Sequence, residues 1–254
     1  MREDTAIGWS GYHRVALACA IVYVAVALAA TLGWLRPLDR ELTRIAYVDA
    51  PCGVRSASAA ASILFAEEAT LLYAGIAALG LTWYRRPLLA VAVVAGMLGT
   101  VPVELASKHL LDQPSPGGFI ATVARRPCTP PASNAATQSA QAAQSAQAAL
   151  PSAAAGEAAY AELSSLPSGY IARAAFFGML LAAAISSRWP RARAPLVALL
   201  AIVLLLLGIT RVVIAWHWPS DVVAGALLGS GAACALLALA PWLQRPGRGA
   251  ARRG

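Results

Sequence analysis

Six apolar runs constrain this chain more than any other feature of its sequence. Each is close to the about 20 residues that an α-helix needs to cross a bilayer, and they lie at roughly 14–34, 58–84, 87–107, 168–186, 194–214 and 219–243. Hydrophobic residues make up 59% of the chain and charged residues only 13%, which excludes an ordinary soluble domain. We therefore predict an all-α polytopic membrane protein, a six-helix bundle forming one domain over residues 1–254 with its core at 58–243.

The arginines indicate how the helices are oriented across the membrane. Eleven of the 20 basic residues lie in the terminal segments and short loops on one side: Arg2, Arg14, Arg85, Arg86, Arg188, Arg191, Arg193, Arg245, Arg248, Arg252 and Arg253. By the positive-inside rule this side is cytoplasmic, and the first run is too long for a cleaved signal peptide. We expect a protein of the cytoplasmic membrane whose termini, including a basic tail at 244–254, are cytoplasmic. The net charge of +8 favours contact with anionic lipid over nucleic acid, for which the sequence has no motif.

Two loops on the opposite, outer side have features of their own. Residues 35–56 mix apolar and charged residues at helical spacing, which predicts an interfacial amphipathic helix. The outer loop at 117–166 contains an Ala/Gln/Ser-rich tract at 132–155. We expect this tract to be a mobile, partly helical segment, because it has too few large apolar residues to pack firmly. Cys52 and Cys128 both fall in outer loops, where an oxidising compartment permits a disulfide. The sequence leaves open whether the two residues form that disulfide or remain free thiols.

Ionisable and turn-forming residues gather where four predicted helices reach the outer face. Lys108, the one lysine beside 19 arginines, ends the third run, and Pro167-Ser168-Gly169-Tyr170 begins the fourth. Arg211 ends the fifth run, while His217 and Asp221 begin the sixth. Because ionisable groups at the edge of a membrane helix are costly unless they face a polar cavity, their convergence predicts a functional site.

Each of these residues has a simpler structural explanation when it is taken alone. His217 lies between two tryptophans and would fit an interfacial aromatic belt. Arg211 could extend its side chain to the membrane interface, and Pro-Ser-Gly is a common way to begin a helix. None of these explanations accounts for the common location of the residues, which favours a site.

The order of these residues resembles the three signature motifs of the type 2 phosphatidic acid phosphatase family, which the vanadium haloperoxidases share. Lys108 with Pro116 resembles the first motif, Pro167-Ser168-Gly169 the second, and the stretch 210–221 the third. The resemblance covers about residues 58–243. It implies a six-helix membrane core, with the three motifs at one membrane face, and a lipid phosphate as the substrate.

The same residues suit phosphoryl transfer on chemical grounds. Lys108 and Arg211 supply positive charge for the phosphate oxygens, and Ser168-Gly169 places a helix N-terminus where it can bind an anion. A neutral His217 can attack phosphorus while Asp221 holds its other ring nitrogen. The resemblance implies that His217 becomes a phosphohistidine, which water then hydrolyses without a metal ion or cofactor.

Three positions depart from the motifs of the family. Ser115 stands where an arginine is expected, Thr210 replaces a serine, and Tyr170 replaces the histidine that protonates the leaving group. Ser115 remains a candidate substrate-binding residue. Four other side chains could take the place of the lost arginine: Gln113, Arg125, Arg126 and Arg173.

Tyr170 makes the chemistry of the leaving group decisive, because tyrosine has a pKa of about 10 and is a weak acid near neutrality. A lipid alkoxide is about as basic as hydroxide and needs a proton donor. A lipid monophosphate, whose last pKa is about 6, departs unprotonated. We therefore predict a phosphatase that prefers a polyprenyl diphosphate, with Tyr170 as a candidate acid.

Other functions remain open at this stage. The first alternative is a phosphatidate or phosphatidylglycerophosphate phosphatase, and the second is a catalytically silent protein that binds lipid phosphates. A transporter would require broken helices and charges at the membrane midplane, and a haloperoxidase would require bound vanadate. The sequence does not predict an oligomeric state.

Overall fold

The computed structural model describes residues 9–61, 67–83, 87–120, 122–123 and 164–244, and all regular structure in these ranges is helical. The α-helices, in chain order, are α1 (Trp9–Thr31), α2 (Arg36–Asp49), α3 (Cys52–Ala61), α4 (Glu67–Trp83), α5 (Pro87–Leu110), α6 (Gly117–Ile120), α7 (Gly169–Arg188), α8 (Arg193–Val213) and α9 (Pro219–Gln244). A short 3₁₀ helix at Pro190–Ala192 precedes α8. The predicted all-α class is confirmed.

Five of the described helical segments are long and apolar enough to cross a membrane: Gly11–Thr31, Ala90–Leu110, Gly169–Ser187, Pro190–Val213 and Pro219–Leu239. Large apolar side chains such as Leu17, Ile21 and Leu205 are exposed on their surfaces, as expected of helices that lipid surrounds. The predicted run at 58–84 overlaps α3 and α4, and residues 62–66 lie outside the described residues. The chain is therefore an integral membrane protein, while the count of six crossings stays a prediction.

Helix α2 lies within the loop predicted to be amphipathic, and it turns its polar side inward. Asp39, Thr43 and Tyr47 recur at intervals of four residues and are buried against the bundle. Leu38 and Ile45 are exposed on another side of the helix. This inversion of the usual soluble pattern fits a helix that rests on a membrane interface and packs through polar groups.

Several sequence predictions concern residues outside the described part of the chain. The tract at 132–155, most of the outer loop at 117–166 and nearly all of the tail at 244–254 fall there, as does Cys128. Cys52 is disulfide-bonded, whereas Cys19 and Cys234 are free. The pairing of Cys52 with Cys128 remains a prediction.

Helix α9 is the centre of the bundle, where it packs against α1, α5 and α7. Its contact with α7 is close because two glycines one turn apart face that helix. A Cβ atom on Gly225 would lie 2.3 Å from the Ser168 carbonyl oxygen, and one on Gly229 would lie 1.9 Å from that of Ala172. Small residues four apart allow the backbones of two membrane helices to approach in this way.

An apolar cluster fixes α7 and α9 against α4 and α5. Phe176 of α7 is fully buried and packs with Ala74, Val93, Met97 and Leu236. Close packing, rather than the exclusion of water, holds helices together in a membrane. The Phe176 ring therefore fixes the position of α7 between its neighbours. The first turn of α7 is thereby held at one end of the bundle.

Substitution of Gly229 by alanine should destabilise the bundle by about 1–3 kcal/mol, because the added methyl group overlaps the α7 backbone. Gly99 of α5 is a matched control, since a Cβ atom there meets nothing within 4 Å and alanine favours a helix over glycine by about 1 kcal/mol. Thermal unfolding in detergent should show a lower midpoint for Gly229→Ala and an equal or higher one for Gly99→Ala. Equal midpoints in both variants would contradict the role given to this contact.

Candidate active site

A tight turn joins the end of α8, which carries Arg211, to His217 and the start of α9. After Val213 the chain passes through Ala215, whose φ of 58° is left-handed. The Ala215 N–H donates to the Val212 carbonyl at 2.9 Å, and the Trp216 N–H donates to that of Arg211 at 3.1 Å. This paired bonding is a Schellman motif, which reverses the chain within a few residues.

His217 has a defined tautomer because both neighbours of its Nδ1 atom are hydrogen-bond acceptors. The carbonyl oxygen of Ser165 lies 3.1 Å from Nδ1, and Oδ2 of Asp221 lies 3.5 Å away. In a neutral imidazole Nδ1 must therefore carry the proton, which leaves the lone pair on Nε2. The structure thus gives His217 a second orienting group, the Ser165 carbonyl, which the sequence analysis did not identify.

Asp221 is completely buried at the first turn of α9. Its Oδ2 atom accepts a hydrogen bond from the Trp218 N–H at 2.8 Å, and its carbonyl oxygen accepts one from the Ser168 N–H at 3.0 Å. The first bond caps the helix, in the manner of an acidic residue at the third helical position. Asp221 therefore combines a structural role with its contact to His217, and its Oδ1 atom has no partner among the described residues.

Ser168 and Gly169 form the start of α7, directly after a cis Leu166–Pro167 bond. Ser168 is the N-cap residue, but its side chain makes no capping bond. Its hydroxyl is buried without a partner in the described part of the chain. A buried hydroxyl and the first N–H groups of a helix are the donors expected of an anion site.

Lys108 is held by a carboxylate rather than left free. Its Nζ atom lies 2.8 Å from Oε1 of Glu104, one turn earlier on α5. Oε2 of the same glutamate lies 3.4 Å from a terminal nitrogen of Arg173 on α7. The carboxylate also lies against Gly169, where a Cβ atom would be 2.0 Å from Oε2. Lys108 and the start of α7 therefore meet through Glu104.

Arg211 is buried, and its guanidinium lies against aromatic rings. Its Cζ atom is 3.4 Å from the centre of the Tyr170 ring and 5.1 Å from that of Trp216. The hydroxyl of Tyr170 donates to the Ala61 carbonyl at 2.7 Å. Tyr170 thus contacts Arg211 through its ring face, an arrangement that holds a cation in place.

Ser115 is half-buried in the segment between α5 and α6, and its neighbours make the contacts to α9. Gln113 is buried, and its Nε2 atom donates to the Ser220 hydroxyl at 3.1 Å. The carbonyl of Gln113 accepts the Ser165 N–H at 3.0 Å. No described hydrogen bond, ion pair or ring contact joins Ser115 to another predicted site residue.

Asp39 of α2 is a site neighbour that the sequence analysis did not identify. Its Oδ1 atom accepts the Ser220 N–H at 2.9 Å and its Oδ2 atom accepts the Ser220 hydroxyl at 2.7 Å. Burial raises the pKa of Asp39, and the bonds from Ser220 offset part of this rise. Its sequence signal is weak, because an acidic residue in an amphipathic helix ordinarily faces water, as Glu41 does.

The described residues contain no group of three or more His, Cys, Asp or Glu side chains placed to hold a metal ion. The groups that converge here are instead cations, an oriented imidazole and unpaired donors. Such a set can bind an anion and attack its central atom.

Comparison with known proteins gives one family match and one similar solved structure. The sequence model of the PAP2 superfamily matches residues 83–245. The fold is similar to the crystal structure of a transmembrane PAP2-type phosphatidylglycerolphosphate phosphatase from Bacillus subtilis, with a TM-score of 0.65 and 14% sequence identity. The similarity covers 91% of this chain and 98% of that chain. No curated protein sequence gives a significant match.

Replacement of Asp39 by alanine should lower the stability of the protein by about 1–3 kcal/mol, because it leaves the buried Ser220 N–H without an acceptor. Glu41→Ala is the control on the same helix, since Glu41 is exposed and pairs with exposed Arg44. A surface change of this kind alters stability by about 0.5 kcal/mol at most. Thermal unfolding should show a lower midpoint for Asp39→Ala than for Glu41→Ala. Equal midpoints in the two variants would contradict a specific stabilising role for the Asp39–Ser220 hydrogen bonds.

Proposed function

The chain belongs to the PAP2 superfamily, and on that premise we propose that it is a membrane phosphatase that removes the terminal phosphate from a lipid phosphate. The observation that carries the proposal is the orientation of His217. Its Nδ1 atom faces two acceptors at 3.1 and 3.5 Å, so the ring presents Nε2 as a nucleophile. A residue that served only to anchor the chain in an aromatic belt would not need this orientation.

The proposed reaction has two steps. In the first, Nε2 of His217 attacks the terminal phosphorus, a P–N bond forms, and the P–O bond to the lipid breaks. In the second, water attacks the phosphohistidine, the P–N bond breaks, and inorganic phosphate leaves with regeneration of the imidazole. Covalent catalysis of this kind divides a difficult displacement into two easier ones.

The surrounding residues have defined roles in this proposal. Asp221 and the Ser165 carbonyl stabilise the positive charge that develops on His217 as the P–N bond forms. Ser168 and the N–H groups at Gly169 bind phosphate oxygens at the start of α7. Lys108 and Arg211 neutralise the charge on those oxygens. Ser115, beside the buried Gln113, is the weakest candidate for contact with substrate.

The contacts of Tyr170 favour a substrate whose leaving group needs no proton. Its ring lies on Arg211 and its hydroxyl donates its proton to the Ala61 carbonyl, so that proton is already engaged within the protein. A lipid monophosphate leaving group, with its last pKa of about 6, can depart as an anion. We therefore favour a polyprenyl diphosphate, hydrolysed at the outer leaflet of the membrane.

A second candidate substrate class comes from the comparison of structures. The similar Bacillus subtilis protein is described as a phosphatidylglycerolphosphate phosphatase. A substrate of that class is a phosphate monoester, whose alkoxide leaving group requires a proton. In this alternative the Tyr170 hydroxyl would have to exchange its bond to Ala61 for one to the substrate.

The purified protein should release inorganic phosphate from a polyprenyl diphosphate, and His217→Ala should abolish this activity because it removes the nucleophile. His109→Ala is the matched control, since His109 is exposed one residue from Lys108 and should be dispensable. Colorimetric phosphate release from the diphosphate, phosphatidate and phosphatidylglycerophosphate measures both activity and preference. Equal or faster turnover of the monoesters would overturn the diphosphate preference, and no release from any of the three would favour a silent binding protein.

Tyr170 variants separate a role for the ring from a role for the hydroxyl. Tyr170→Phe retains the ring over Arg211 and should retain most of the activity on a diphosphate, whereas Tyr170→Leu removes the ring and should lower kcat by about tenfold or more. Steady-state kinetics on one diphosphate substrate compares the two. If phenylalanine and leucine were equally damaging, the hydroxyl would be the proton donor.

A further inference from the structure

Glu104, Lys108 and Arg173 form a buried charged cluster between α5 and α7. Their side chains are 11%, 14% and 10% exposed, so their charges interact through a medium of low dielectric constant. Within the described part of the chain, one carboxylate faces two cations, which leaves an excess of positive charge. In addition, the Nε atom of Arg173 is buried without a hydrogen-bond partner among the described residues. A cluster with spare positive charge and a spare donor is incomplete without a further anion.

The carboxylate of Glu104 lies at the first turn of α7. A Cβ atom on Gly169 would be 2.0 Å from Oε2 and 2.3 Å from Oε1, so the carboxylate occupies the space that a side chain would need. The N-terminus of a helix attracts anions through its free N–H groups and its dipole. Glu104 therefore lies beside the α7 turn and Lys108, the groups to which the phosphate of the substrate was assigned above.

We propose that Glu104 is a resident anion that occupies part of the phosphate site in the free protein and is displaced by the substrate, whereupon Lys108 and Arg173 both bind the phosphate. The inference rests on the proposed function and deepens it. Arg173 thereby becomes a phosphate-binding residue, and Glu104 becomes a residue that determines which anions enter.

Displacement of Glu104 selects among the anions of a membrane. An entering group must replace the Glu104 carboxylate at both Lys108 and Arg173. The displaced carboxylate stays nearby and repels the entering anion. A terminal phosphate carries about −1.5 to −2 charges near pH 7 and three oxygens. The phosphodiester of an ordinary phospholipid carries a single charge, so Glu104 disfavours the abundant lipids of the bilayer.

The test uses inorganic phosphate as the probe and the full chain in detergent. Phosphate binding is measured by the rise in thermal unfolding midpoint as phosphate is titrated, which requires no turnover. Glu104→Gln keeps the shape and one acceptor but removes the charge, and Glu41→Gln on the exposed side of α2 makes the same change away from the site. We expect Glu104→Gln to bind phosphate about tenfold more tightly than the wild type, since a like charge nearby opposes binding by this order. Glu41→Gln should bind as the wild type does.

Arg173→Gln provides an independent arm, which keeps the Glu104–Lys108 pair. The proposal predicts that it binds phosphate about tenfold more weakly than the wild type. If Arg173 served only to neutralise Glu104, its removal would leave phosphate binding unchanged, and that result would overturn the proposal. Weaker or unchanged binding by folded Glu104→Gln would also overturn it, because it would show that the carboxylate only positions the cations.

The outcomes separate this inference from the proposed function. If phosphate stabilises the wild type and the variants behave as expected while no lipid is hydrolysed, the resident-anion role stands and the catalytic proposal fails. If lipid hydrolysis is normal but Glu104→Gln binds phosphate more weakly, the catalytic proposal stands and the inference fails. Absence of any phosphate binding by the wild type and both variants overturns the inference.

Discussion

The site depends on the close approach of α7 and α9. Gly225 and Gly229 bring the two backbones so near that the Ser168 N–H donates to the Asp221 carbonyl at 3.0 Å. This contact joins the anion-binding start of one helix to the first turn of the other, which carries the partner of His217. In a membrane, where burial of apolar surface contributes little to the association of helices, such packing of small residues supplies much of the specificity.

The electrostatics of the site follow from its location at the end of a membrane bundle. Each buried charge has a partner or a close polar contact: Lys108 and Arg173 share Glu104, Arg211 lies on an aromatic ring, and Asp221 accepts a helix N–H. Unpaired charges would be expensive there. At the site, the Ser168 hydroxyl and the Nε atom of Arg173 are buried without a partner among the described residues, and an anionic substrate would satisfy both donors.

Much of this arrangement could be predicted from the sequence, because its main elements depend on local patterns. Apolar runs predict membrane helices, and Pro219 two residues after His217 predicts the helix start that brings Asp221 toward the histidine. The contacts that could not be predicted join segments far apart in the chain. Asp39 meets Ser220 across 181 positions and Arg173 meets Glu104 across 69. The place of Tyr170 as a platform for Arg211 depends on the rotation of α7 against α8, which no local pattern encodes.

The most direct test of this account is to trap the covalent intermediate. The enzyme would be quenched in alkali, in which a phosphohistidine survives, during turnover of a polyprenyl diphosphate with a radiolabelled terminal phosphate, and the labelled peptide would then be mapped. The account predicts label on His217 that is lost on treatment with acid and absent from His217→Ala. Label on another residue, or steady phosphate release with no label on His217, would contradict it.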